Sequence, residues 1–166
     1  GSPRLTMPNL KSLTAYEADA DGTIANASGT IVNGVQGDNE SKTGIYLEGT
    51  AANPIKINGK VVVRGDVVIK GVMTGQGTLY VGGNLYVAGS LTYKNGPNFS
   101  TAPETMSATN RDAWVDASMS KDLIAFAVRE SILGGKVNDS SWKGNVYDAA
   151  TYGMKNVGDE SKLGAD

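Results

Sequence analysis

The chain has 166 residues, one domain's length with room for a core, and carries 22 glycines, 19% charged residues and a net charge of −2. That balance argues against a nucleic-acid partner, whose phosphates call for a basic surface, and fits a secreted or surface scaffold better than a cytosolic enzyme. It contains no cysteine and no histidine, which removes disulfides, thiolate zinc sites and thiol nucleophiles, together with the commonest general base and the commonest transition-metal ligand.

No run of eighteen apolar residues exists, so no membrane span is expected, and no signal peptide is visible. Gly1-Ser2 reads as a processing or cloning scar, and the abrupt end at Gly164-Ala165-Asp166 suggests a fragment or mature form. Residues 1–44 are expected to form an N-terminal arm and cap. Leu10, Leu13 and Tyr16 or Glu17 have modest helical spacing, but Pro3 and Pro8 leave an extended arm equally open. The text from Asp21 to Asp38 is rich in Gly, Ala and Asn, anchored by Ile24, Ile31, Val32 and Val35, and reads as irregular first coils or a cap. Asp19, Asp21, Gly22 and Asp38 invite a calcium reading, but EF-hand spacing and its closing Glu are missing, so a solvated Asp-Gly turn is expected. No metal or cofactor is expected anywhere.

The core is expected over 45–96. Gly44 to Gly49 forms one hexad with Ile45 and Leu47 inward, and a loop at Thr50 to Pro54 shifts the phase by four. From Ile55 to Gly96, glycine stands at every sixth position, Gly59, Gly65, Gly71, Gly77, Gly83 and Gly89, with apolar residues in alternation between them. A short fixed period marks a stacked repeat, and in-out-in alternation is that of a strand. The expectation is an all-β chain coiled as a parallel β-helix, with about eighteen residues per coil, three short faces and a glycine at each corner. Val61, Val63, Val67, Ile69, Leu79, Val81, Leu85, Val87 and Leu91 are its predicted inward core, each contributing roughly 1.5–3 kcal/mol when buried. Val61 should stack under Leu79, Val67 under Leu85 and Met73 under Leu91, with Gly75 a thin layer. On the outer side Val62 falls beneath Tyr80 and Val68 beneath Tyr86, an apolar strip that is either covered by flanking segments such as Trp114 or Trp142 or offered to a protein or sugar.

Residues 97–166 should cover or cap this core. Pro97 and Pro103 take the chain out of the repeat, and Ser107 to Ser118 reads as a short helix with Thr109 or Asn110 as N-cap and Trp114 and Val115 on its buried side. Lys121 to Val137 suits a helix or strands, with strands rejoining the core favoured. Trp142, Val146, Tyr147 and Tyr152 are expected to supply apolar cover.

The hexads VVVRGDVVIKG (61–71) and GTLYVGGNLYVAGSLTYKN (77–95) resemble the polymer-forming bactofilin class, and still more closely the solenoid segments of secreted bacterial proteins associated with type IV pilus assembly. The likeness covers Ile45 to Lys94 well and Asp122 to Gly135 loosely. It implies a right-handed β-helix with a structural role in a filament, surface layer or pilus-associated complex. Bactofilins carry the repeat through nearly the whole chain, whereas long flanks here act against simple self-polymerisation.

Enzymatic readings fare worse. Hexapeptide acyltransferases need a histidine, and polysaccharide lyases or hydrolases need clustered carboxylates. The outward or corner charges of the strict repeat are Lys56, Lys60, Arg64, Asp66 and Lys70, with one carboxylate among them, while Glu17, Glu48, Glu104, Asp112, Asp122 and Glu130 have no inferable relation. A non-enzymatic subunit of a bacterial extracellular or cell-surface assembly is therefore expected. Its partners would be copies of itself in a homo-oligomer or filament formed end to end or by strand exchange, pilus or other surface proteins, or a glycan held on Tyr80 and Tyr86.

Overall fold

The computed structural model describes residues 13–37, 44–98, 100, 103–135 and 155–156. The expectations for the first twelve residues, Asp38, Trp142, Val146, Tyr147 and Tyr152 lie outside them. Two long parallel ladders carry most of the repeat, beside a shorter parallel pairing of Ile55 with Met73 and Lys56 with Thr74. In one, β3 (Val35–Gln36) pairs with β5 (Ile55–Val63), then β7 (Gln76–Val81) and β9 (Leu123–Val128). In the other, β4 (Ile45–Gly49) pairs with β6 (Val67–Thr74), β8 (Leu85–Tyr93) and β10 (Ile132–Gly134), with β11 (Lys155–Asn156) on the far side of β4.

The chain is rich in strand, but the expected regular right-handed parallel β-helix with three faces is corrected by the sheet, which is mixed. β1 (Thr23–Asn26) lies antiparallel to both β2 (Gly29–Asn33) and β5. The cause is local: no hexad runs through 21–38, and Asn26 instead reverses the chain, its Oδ1 accepting the Ser28 N–H at 2.8 Å. The resulting hairpin sets Ile24 opposite Ile57. What reads as irregular coils is a two-stranded edge closing that side of β5.

Regularity also fails inside the repeat. Val61 does face Leu79, and Val67 faces Leu85, both at a separation of eighteen. Between β6 and β8, however, the register slips: Ile69 pairs with Val87, but Gly71 pairs with Leu91 and Met73 with Tyr93, so the expected Met73–Leu91 stack is replaced. Gly89 and Ser90, both exposed, absorb the extra two residues as a bulge. The corner role of the six glycines is likewise not uniform. Only Gly59 (φ 68°) and Gly71 (φ 90°) among them adopt the left-handed region, and at Gly71 the carbonyl oxygen of Gly49 fills the space a Cβ would need.

Two insertions leave the ladders in phase. Ile45 pairs with Val67 at a separation of 22, eighteen plus the four contributed by the loop after Gly49. Gln76 pairs with Leu123 and Leu85 with Ile132, both 47 apart, so the excursion after β8 subtracts 29 residues from each ladder equally. Side chains from both ladders meet in one cluster. Val61, Val63, Val67, Ile69, Leu79, Val81 and Leu85 are buried in it with Ile24, Ile45, Leu47 and Ile57, and Val87 and Leu91 are half-buried against it.

Candidate contact surface

The excursion is fastened at its base by Asp122, which is 5% exposed. Its Oδ1 accepts the Gly75 N–H at 2.9 Å and the Thr74 hydroxyl at 3.0 Å, and its Oδ2 accepts the Asn95 N–H at 2.7 Å. The Asp122 N–H returns to the Asn95 carbonyl, and Lys121 Nζ donates to Asn95 Oδ1 at 3.0 Å. Burial pushes the carboxyl up, but the donors of Gly75, Asn95 and Thr74 and the charge of Lys121 together outweigh it, so its pKa lies below the ordinary aspartate value. A second polar stack sits at the start of β6, β8 and β10. Asp66 Oδ1 accepts the Asn84 N–H at 2.7 Å, Asn84 Oδ1 accepts the Ser131 N–H at 3.2 Å, and Asn84 Nδ2 donates to Glu130 at 3.0 Å.

Between those anchors the chain forms a short 3-10 turn (Pro103–Thr105) and α2 (Ala108–Met119). The N-cap is Ser107, neither Thr109 nor Asn110, its hydroxyl accepting the Asn110 N–H at 3.4 Å. The helix buries no residue: Trp114 is half-buried with its indole N–H on the Asn98 carbonyl, and Val115, expected on a buried side, is 45% exposed. Gln76 holds the helix end by donating to the carbonyls of Met119 and Lys121. Met119 (73% exposed) and Leu123 (67%) then line an open cleft of about 440 Å³ with Thr78, Ala125 and Lys121. With Ile132 (61%) and Val115, these are the large exposed apolar side chains among the described residues, and all four lie on α2, β9 and β10.

The outward strip is not a free surface. Val62, Val68 and Tyr86 are buried. Tyr80 is half-buried because Tyr16, on the short helix α1 (Thr14–Glu17), stacks on it with ring centroids 4.5 Å apart. Among the described residues the ring that covers it is Tyr16, while Trp114 is engaged with Asn98 instead. Glu17 clamps α1 in place through two bonds to Arg64, at 2.7 and 3.0 Å. The Arg64 hydrogen bond pulls the Glu17 carboxyl down, partial burial pushes back, and the guanidinium charge leaves the net below the ordinary value. Glu17→Gln is therefore expected to cost about 1 kcal/mol at pH 7, a melting shift of about 2–4 °C. A lowered pKa stabilises above the unfolded value and ceases to as pH falls through the folded one, so melts of the two proteins should draw together as pH falls below the ordinary glutamate value.

Among the described residues, several carboxylates are already engaged. Glu48 accepts the Tyr46 hydroxyl at 2.8 Å and faces Lys70 at 3.6 Å, Glu17 holds Arg64, Asp122 holds the excursion, and Glu130 meets Asn84. Asp19 lies 3.8 Å from Lys60 Nζ and Asp21 accepts the Lys60 N–H, and among the described residues no group of three or more carboxylates converges on a common point. No family model, curated protein or solved structure matches the chain. No helix among the described residues is long and apolar enough to cross a membrane.

The strip around Tyr80 was legible in the repeat, but Tyr16 as its cover was not, since nothing in the spacing of 13–20 names a target. Met119 and Leu123 carried no signal of exposure either. The equal separation of 47 in the two ladders is itself a property of the fold and could not have been read beforehand.

Proposed function

We propose that this protein is a structural subunit of an extracellular or cell-surface assembly, working by contact and not by turnover, with α2, β9 and β10 as its contact surface. The observation that carries this reading is the gathering of Val115, Met119, Leu123 and Ile132 beside the outer edges of β9 and β10, which have no partner strand among the described residues. An apolar patch next to an open strand edge is an association site by construction, since both its side chains and its backbone gain from a second surface. The opposite side also ends in edge strands, β2, β3 and β11, but among the described residues no large exposed apolar side chain lies beside them. A glycan reading centred on Tyr80 and Tyr86 draws no support, since one ring is covered by Tyr16 and the other is buried.

Sedimentation over a concentration series tests the proposal, alongside incubation with a polysaccharide panel. Reversible association is expected, weakened roughly tenfold by Met119→Ser with Leu123→Ser, as loss of about 1.4 kcal/mol of apolar contact would give. No polysaccharide should gain new ends. Monomers at every concentration would overturn the reading, as would cleavage of a sugar polymer.

A further inference from the structure

The outer edge of β9 faces a partner of recognisable form. Leu123 and Arg129 donate their N–H groups to Gly75 and Val81, at the start and end of β7. Backbone groups alternate sides along a strand, so those of Ile124, Phe126 and Val128 point away from β7. The side chains of the same three residues point into the core cluster, Ile124 buried and Phe126 and Val128 half-buried.

The sequence of this edge is Ile124-Ala125-Phe126-Ala127-Val128, a pattern that reads almost the same in both directions: an aromatic centre, alanine on each side, a β-branched aliphatic outside. Resting on the contact reading above, we infer that β9 pairs antiparallel with β9 of a second copy of this chain, about a twofold axis at Phe126. Such a pairing is isologous, so each copy offers the same patch and the contact closes at two. It sets Phe126 against Phe126 and Ile124 against Val128 of the other copy, inward on inward, as the period of two requires. Ala125 then meets Ala127, small against small, on the outer face. Leu123 falls opposite Arg129, whose aliphatic stem can lie over it. Asp122 and Glu130 come opposite each other, but Asp122 is engaged by Gly75, Thr74 and Asn95, and Glu130 by Asn84.

One group already occupies part of this edge. The Tyr93 hydroxyl accepts the Ile124 N–H at 2.9 Å and donates to the Ile124 carbonyl at 3.2 Å. It stands where a partner strand's backbone would bond, and pairing displaces it. Tyr93 thereby weakens the dimer without blocking it.

The chain's lack of cysteine makes the test direct. Ala125→Cys and Ala127→Cys are made separately, at outward positions that leave the core intact, and oxidised alone and as an equal mixture while wild type is sedimented in parallel. The mixture is expected to cross-link at least tenfold faster than either variant alone, wild type to stop at two copies, and Tyr93→Phe to dimerise roughly fivefold more tightly, the worth of about one exchanged hydrogen bond. Association beyond two copies, or cross-linking by each variant alone as fast as in the mixture, would overturn the twofold pairing while leaving the contact reading in place. Monomers at every concentration would overturn both.

Discussion

Gly71→Ala is expected to lower the melting temperature by about 10 °C, whereas Gly89→Ala should leave it within a degree or two. The two glycines occupy equivalent places in the hexad repeat, so sequence alone predicts equal effects. In the structure Gly71 has a φ of 90°, costly for any side chain, and a Cβ there runs into the carbonyl oxygen of Gly49 on the neighbouring strand. Backbone in such a region costs about 1–3 kcal/mol for a non-glycine residue, and the steric conflict adds to it. A total of about 3 kcal/mol is a large share of a domain's stability of about 5–15 kcal/mol, and at about 2–4 °C per kcal/mol it gives the stated shift. At Gly89 the nearest atom to an added Cβ is the Lys70 Cβ at 4.0 Å, and the residue is exposed. Surface changes of that kind stay within about 0.5 kcal/mol. Thermal melts of the two variants distinguish the slipped register from a uniform repeat: equal shifts would mean the bulge at 89–90 does not exist.

Asp122→Ala should cost about 3 kcal/mol at pH 7, because a buried carboxylate accepting three hydrogen bonds leaves their donors stranded when it is removed, and bonds to a charged group are worth about 1.5–3 kcal/mol. The damage should be local in its consequences, freeing the whole segment from Asn95 onward, and hydrogen exchange should show it as lost protection in β9 ahead of β5 and β6. Acid reports on the same group. Its folded pKa is depressed, so its contribution is complete above the unfolded value near 4 and fades as pH falls through the lower folded value. Asp122→Asn keeps the shape but loses the charge, and its stability should vary less than wild type between pH 6 and pH 3. An unchanged acid profile would place the acid-sensitive group elsewhere, with Glu17 the next candidate.

Much of the pairing was written in the residues, and the reasons for the remainder are physical. The alternation of aliphatics in 55–93 forced strands, and like-on-like burial placed Val61 against Leu79 and Val67 against Leu85. Periodicity cannot report a break in itself when the composition on both sides is the same, which is why the slip at Gly89-Ser90 and the consequent Met73–Tyr93 pairing were invisible. Nor does it speak for residues outside its run. The hairpin at Asn26–Gly29 was decided by a side-chain bond two residues long, and it turned an expected coil into an antiparallel edge. Of the contact surface, the strand pattern in 123–128 was recognisable, but the exposure of Met119 depends on where α2 is pinned by Gln76, a tertiary fact. Trp114 and Val115 misled for the same reason, since a helix with no buried face has no stripe to read.

The equal separation of 47 across both ladders has an engineering consequence. Whatever lies between Asn95 and Asp122 is tethered at its two ends by that pair's own bonds, so its length is not fixed by the strands on either side. Closing a loop twice as long costs only about 0.6 kcal/mol more. A foreign peptide or small domain spliced near Thr105 would be carried as cargo on an undisturbed chassis.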